Sequence, residues 1–420
     1  MNMAKGKPPK TTGLARIAAR NVLRNGRRSV LSILAVAVAA MAITVMFSVL
    51  EGLKADMTRN EQNYNTGEIR VRHRDFDRYE YQQPVHFVVD EYAALLAKLR
   101  EIPELGPVSP RISVPALAFR EERRIVAHGL GLDMRSEGEF MDLEAVVAAG
   151  RLPEPGSTEA LIGAGLAERL GVGIGDTATF LTRTRLRTSN AFTVDIVGIA
   201  VYSVGGLDRT TFMLPIEAAS RYMRMGNAVS TLLIRSRTGQ SRELTDSVNA
   251  VLDRSGRSEL AAVHWSEASE GYAYMQFADI AYNIMALFFF ALGATVVINT
   301  TMMTVYERTR EIGTLAAMGM RSREIVGLFF TESAYLGLAG SIAGVLLGLG
   351  IVIPLQTIGI DFGSTTELMG GFAISTVLYP VLNVRSTAGT FVFSFTVAAL
   401  AGFIPARRAA HLRPVDALRE

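Results

Sequence analysis

Hydrophobic residues gather in four long runs, at 30–50, 280–305, 325–353 and 387–404, and polar segments flank each of them. A helix needs about 20 apolar residues to cross the hydrocarbon core of a bilayer, so each run predicts a membrane span. The first would measure about 32 Å as a helix. It is longer than the ~7–15-residue core of a signal peptide, and its end, SVLEGLK, lacks a small-x-small cleavage pattern. Glycines at 337, 340, 344, 348 and 350 in the third run have the spacing that lets helices pack closely, and Pro354 is placed to end that run.

Between the first two runs the pattern changes. Residues 67–73 alternate as a strand, 90–102 read as a helix, and 111–119 and 123–132 read as strands. Strand, helix and strand recur in the same order at 230–236, 241–255 and 261–265. The repetition predicts a split α+β subdomain whose halves are separated by a long insertion. The insertion, about 136–226, has short strands at 178–184 and 192–202 and a helix after Pro215, which makes it mainly β. The expected layout is a tail and basic amphipathic helix (1–29), a first span (30–50), a large α+β domain (51–276) and a second span (277–305). A short loop (306–324), a third span (325–354), a connection containing Thr365, Thr366 and a short surface helix (355–386), a fourth span (387–405) and a tail (406–420) follow.

Charge orients these spans. Residues 1–29 hold eight Lys and Arg and no acid, whereas 51–279 hold 32 acids against 26 Lys and Arg. Segments 1–29, 306–324 and 406–420 together carry 16 basic residues against five acids. By the positive-inside rule both termini and the 306–324 loop are cytoplasmic and the large domain lies outside. Arg16, Arg20, Arg24 and Arg27 recur at helical spacing, as on a helix lying along an anionic membrane surface. Because a span follows at once, this pattern favours membrane lipid over nucleic acid. The chain has no cysteine, so it has neither a disulfide framework nor a thiolate metal site.

The 307–319 island, ERTREIGTLAAMG, is charged and helix-prone between two apolar runs. Glu307 and Glu311 stand four apart, as do Ile312 and Ala316, so a helix there carries a charged face and an apolar one. Gly313 weakens it and Gly319 is placed to end it. Such a helix can receive a push from a cytoplasmic partner, or can be a solvated loop. Glu332 is the one acid inside a span; an intramembrane charge is costly and faces protein rather than lipid. A bond to Asn299, Thr300 or Thr301, a link to the loop, or a proton relay would each account for it. At the outer ends of the first two spans, Met46, Phe47, Val49 and Leu50 against Ile280, Ile284 and Phe288 are suited to an acyl chain and equally to ordinary helix packing.

Residues 307–348 resemble the signature of the MacB, FtsX and Lol (lipoprotein-releasing) permeases of ATP-binding-cassette (ABC) systems, as do 19–39 and 405–420. The large domain is similar to theirs mainly at 149–180 and 194–208. The resemblance implies that the loop is a coupling helix docking on an ATPase dimer, with Glu307, Arg308, Arg310, Glu311, Gly313, Thr314, Leu315, Met318, Gly319 and Arg321 as the coupling set. It implies a second permease copy or paralogue and a site in an inner membrane. Length and domain order resemble the lipoprotein-releasing branch, with lipoprotein cargo and a lateral opening to the outer leaflet. MacB-like export of a peptide or drug and an FtsX-like signalling role are the alternatives. Lol-type permeases recruit a periplasmic carrier through a protruding hairpin; here that segment is only 180–192, short, basic and without proline. Arg183, Arg185 and Arg187 in it could meet an acidic partner or form a solvated edge.

No G-x-x-x-x-G-K-[ST] occurs, so any ATP and Mg²⁺ are expected on a partner, with no cofactor on this chain. The five histidines are scattered without metal-ligand spacing, so no metal is expected. No G-x-S-x-G elbow is present, and the expectation is a non-catalytic permease subunit.

Overall fold

The computed structural model describes residues 11–24, 26–82, 84–202, 204–362 and 375–410. Helices α1 (Thr11–Arg24) and α2 (Gly26–Glu61) come first, then β1 (Ile69–His73), α3 (Tyr92–Leu99), β2 (Leu105–Arg120) and β3 (Arg123–Leu132). Next are α4 (Glu137–Phe140), β4 (Val147–Gly150), β5 (Glu159–Gly163), α5 (Ala164–Leu170), β6 (Thr177–Arg183), β7 (Ser189–Ala200), α6 (Gly205–Asp208), β8 (Thr211–Pro215) and α7 (Ile216–Met223). The chain continues through β9 (Thr231–Ser236), α8 (Ser241–Arg254), β10 (Leu260–His264), α9 (Trp265–Ala268), α10 (Glu270–Glu307), α11 (Thr309–Ala317), α12 (Ser322–Ile358), α13 (Val384–Ala401) and α14 (Phe403–Ala409). Contacts divide it into two units. One holds 1–54, 276–360 and 378–420, the other 55–275 and 361–377.

The first unit is helical. Among the described residues, four helices, beginning at Gly26, Gly271, Ser322 and Val384, are long and apolar enough to cross a membrane. The glycines of α12 explain how it packs. A Cβ on Gly340 would sit 2.7 Å from Val36 Cβ, one on Gly344 2.7 Å from Ala40 Cβ, and one on Gly348 2.8 Å from Thr44 Cβ. The α2 backbone therefore lies in a groove that only glycine leaves open. Gly337 faces α13, where a Cβ would be 2.7 Å from Ala398 Cβ, whereas nothing lies within 4 Å of Gly350. Pro354 sits inside α12, which runs on to Ile358. The expected helix end at Pro354 is corrected by one further turn: proline removes a single i→i−4 bond, and lipid-facing helices survive that loss. Thr365, Thr366 and the expected surface helix lie outside the described residues.

The second unit is built on one sheet with strand order β10-β1-β9-β2-β3-β8-β5-β7-β4, and β6 joins β2 to β7. The antiparallel row β10-β1-β9-β2 interleaves strands from the two strand-helix-strand segments. Helices α3 and α8 bury Leu95, Leu99, Leu244, Val248 and Leu252 in the same core. The sixteen-residue β2 then does double duty. Its first part pairs with β9, while Ala116–Phe119 pair with β6 and Arg111–Arg120 with β3. Following the pairs β2-β3-β8-β5-β7-β6 returns to β2, so six strands close into a ring with no free edge between them. Phe180, Phe192 and Phe212 stack in this core, with ring centroids 5.6 and 4.0 Å from Phe180. Gly129 is where Phe212 approaches β3; a Cβ there would lie 2.5 Å from Phe212 Cζ. The expected division into a split subdomain and an insertion at 136–226 does not emerge as two compact bodies. Two of the six ring strands, β2 and β3, come from the segment read as the first half, because period-two alternation marks a strand without naming its neighbours.

Candidate functional site

The loop between α10 and α12 folds as the nine-residue helix α11. Its apolar side is seated by Ile312, which is buried with Val305, Ile325, Phe329 and Ala406. Gly319, at φ +98°, ends it: Met320 N–H donates to Leu315 O at 3.0 Å, the six-to-one closure of a Schellman turn. Glu324 then accepts from Arg321 N–H at 2.8 Å and starts α12. Helix and stop are therefore encoded between Thr309 and Met320, whereas the seat also draws on Phe329 and, from α14, Ala406.

The charged side of the loop is held by the same chain. Arg24 Nη2 donates to both carboxylate oxygens of Glu311, at 3.1 and 3.0 Å. Arg28 forks onto Glu307, Nη1 donating to Oε2 and Nη2 to Oε1. Arg308 turns inward and is buried, with Nη1 3.9 Å from Glu332 Oε2. Glu332 is 7% exposed and shares a polar pocket of about 20 Å³ with Arg28, Ser29, Ser32, Thr300, Thr301 and Thr304. Ser32 Oγ and Thr300 Oγ1 are 2.7 Å apart beside it. Glu332 thus lies beside Arg308 of the loop and in one pocket with Thr300 and Thr301. The rest of the coupling set divides by face. Arg310, Thr314, Met318, Gly319 and Arg321 are exposed, Gly313 is buried, and Leu315 is half-buried.

At the other end of the same unit, α2, α10 and α13 enclose an open cavity of about 710 Å³. Phe47, Leu50, Ala286, Phe290 and Phe393 give it an apolar lining, and Glu51, Asp279, Asn283, Asn383 and Arg385 add polar groups. Lys54 pairs with Asp279. Of the residues singled out from sequence, Phe47 and Leu50 line this space, while Met46 packs on Ile43, Ala286 and Phe290. Val49 is half-buried and is not among the lining residues. Ile280, Ile284 and Phe288 do not line it either; they are 59%, 64% and 61% exposed on another face of α10. The correction is rotational. Asp279, Asn283, Ala286 and Phe290 are the helical neighbours that turn inward, and the sequence reading passed over two of them because they are polar.

In the second unit, the β6–β7 turn is tied down by its own chain. Arg185 pairs with Asp90 at 2.8 Å, and Arg187 Nη2 is 3.1 Å from His86 Nε2. Asp176 at the start of β6 accepts from Gly173 N–H at 2.9 Å; this bond, followed by Arg120, holds its carboxyl below the usual range. Groups of three or more His, Cys, Asp or Glu placed to hold a metal are absent among the described residues.

Two family models match the chain. The FtsX-like permease C-terminal model covers 283–414, which includes α11 and its seat. The MacB-like periplasmic core domain covers 29–251, more than half of the chain. The chain belongs to the MacB/FtsX/Lol family of ABC transporter permeases. It is 23% identical to the lipoprotein-releasing system transmembrane protein LolC of Neisseria meningitidis serogroup B over 94% of this chain and 95% of that protein. It is 35% identical over 127 residues to an uncharacterized ABC transporter permease of Methanocaldococcus jannaschii, spanning 30% of this chain and 29% of that one. With the macrolide export ATP-binding/permease protein MacB of Nitrobacter winogradskyi it shares 26% identity over 50% of this chain and 27% of that protein. The chain thus spans under a third of the archaeal and MacB relatives. This permease joins a membrane-spanning part with a MacB-like periplasmic domain, as its family does.

Proposed function

We propose that the chain is the permease subunit of an ABC complex in the bacterial inner membrane, with both termini cytoplasmic, and that it releases lipoproteins from that membrane. A separate ATPase dimer, carrying ATP and Mg²⁺, would dock at α11. Closure of the ATPase would displace α11, and the displacement would pass along α10 and α12 to the periplasmic domain. A second permease copy or paralogue completes the complex. The observation that supports the lipoprotein reading is the cavity between α2, α10 and α13: an apolar lining suits acyl chains, and the polar groups suit the backbone and linker that follow them. Full-length similarity to LolC points the same way.

MacB-like export of a peptide or drug is the second reading, favoured by the MacB-like model over 29–251; an FtsX-like regulatory role is a third. A periplasmic carrier or adaptor would be recruited elsewhere than at the β6–β7 turn, because Arg185 there is already paired with Asp90. Affinity purification of the tagged chain from its native membrane in mild detergent, with mass spectrometry, tests these readings. A P-loop ATPase recovered with acylated proteins supports lipoprotein release. The ATPase recovered with an adaptor and an outer-membrane channel favours export, and recovery without any ATPase overturns the assignment.

A further inference from the structure

The cavity between α2, α10 and α13 has a charged end and an apolar interior, and the three helices set their order. Glu51 lines it where α2 leaves its apolar run, and Asp279 and Arg385 line it where the runs of α10 and α13 begin, so the charges gather at one end of the spans. Phe290 lies about 16 Å along α10 from Asp279, and Phe393 about 12 Å along α13 from Arg385. The apolar lining therefore continues past the charges, as the chains of an amphiphile continue past its head group. Asp279 is paired with Lys54. The Glu51 carboxylate and the Arg385 guanidinium, on different helices, have no ion pair or hydrogen bond among the described residues. Asn383 caps α13 by accepting from Arg385 N–H at 2.9 Å, which fixes the turn that carries the guanidinium.

We propose that the cavity binds a zwitterionic phospholipid, with its ammonium at Glu51, its phosphate at Arg385 and an acyl chain along Phe290 and Phe393. Opposite charges left apart beside an apolar lining are costly unless a ligand meets both. A purely anionic ligand would face Glu51, and a purely cationic one Arg385; a head group carrying both signs satisfies the pair. The volume of about 710 Å³ is within the range of small-molecule sites, about 300–1,000 Å³. Gly389 marks the room the lipid needs. It stands on α13 between Arg385 and Phe393, lines the cavity, and has nothing within 4 Å of a Cβ built there. The inference rests on the reading of this cavity as the acyl-chain site, and adds that cargo enters by displacing a resident lipid.

The test places the full chain in nanodiscs of equal phosphatidylethanolamine and phosphatidylglycerol with the same acyl chains, and reads the lipid it retains by native mass spectrometry. The unaltered chain should retain phosphatidylethanolamine about tenfold over phosphatidylglycerol. Glu51→Gln should abolish that preference, so that the anionic lipid is held equally well. Arg385→Gln should lower retention of both lipids about tenfold. Gly389→Leu, which fills the cavity without meeting another helix, should lose the lipid at an unchanged thermal midpoint. Equal retention of the two lipids by the unaltered chain overturns the proposal, as does a preference that Glu51→Gln leaves intact or full retention by Gly389→Leu. The cargo reading fails separately: if the chain in native membranes captures no acylated protein yet keeps its preference for phosphatidylethanolamine, lipoprotein release falls and the lipid site stands.

Discussion

Arg111 and Glu137 form a 2.6 Å ion pair with side chains only 3% and 0% exposed. Such a pair stands only where the remaining donors and acceptors are met, and here they are. Arg111 also donates to Tyr64 O at 3.0 Å and Ser109 Oγ at 2.9 Å, and Ser109 donates to Glu137 at 2.5 Å. Phe140 lies under both Arg111 and Arg235. Glu137→Ala should therefore destabilise the protein by about 3–5 kcal/mol, read as a fall in thermal midpoint of the detergent-solubilised chain. Arg111→Met added to Glu137→Leu should recover part of the loss. His264 supplies a pH dependence. Its Nδ1 accepts from Ser266 N–H at 3.3 Å, and burial, then Arg242, lowers its pKa from the ordinary value. A lowered folded value favours the neutral ring, so this contribution is complete above the unfolded pKa of about 6.5 and is lost as pH falls through the folded one. His264→Asn should flatten the acid side of a stability profile measured from pH 8 to pH 5. At this scale the sequence was legible only where local spacing decides the outcome. Gly319 could be read as a stop from its place after a helix-prone run. Arg24 was read as lying along an anionic membrane surface and Arg28 only as part of a basic segment, because nothing near them in the chain announces partners at 307 and 311. The one available signal was that both pairs share a spacing of four.

Among the elements, α12 shows how much of a helix-helix contact is readable from small residues. The glycine pattern announced a close packing face, and the structure assigns it: 340, 344 and 348 to α2, and 337 to α13. Gly350 belongs to the same run in sequence yet faces open space, a distinction that needs the partner's position. Gly344→Ala should accordingly weaken the unit, since overpacking costs about 1–3 kcal/mol, while Gly350→Ala should leave the thermal midpoint unchanged. Equal losses from the two would contradict the packing described. Spans are legible because lipid demands unbroken apolar length. The rotation of α10 was not, since a helix that is apolar on most sides carries no marker of which side faces protein; the clue lay in the polar Asp279 and Asn283.

For the whole molecule, the lipoprotein reading predicts where an acyl chain is met. A photoactivatable residue in place of Phe393 should capture acylated protein in native membranes, whereas one at Ile284 should capture phospholipid alone; the reverse result would move the site to the outer face of α10. The division into a membrane part and a large domain was legible from hydropathy. The six-strand ring was not, because its closure depends on β2 pairing at different heights with β9 and β6, and alternation carries no record of partners. The sheet also has a consequence for how the protein is made. Strand β1 leaves the ribosome soon after α2, yet its partners in the sheet are β9 and β10, at 231–236 and 260–264. Until those residues have been synthesised and moved across the membrane, β1 keeps both edges open and the row β10-β1-β9-β2 cannot close. Pairing of such distant segments is slow, and unpaired strands invite association with other chains. Biogenesis, more than the finished fold, is then the stage at which this domain is exposed to aggregation and to proteases.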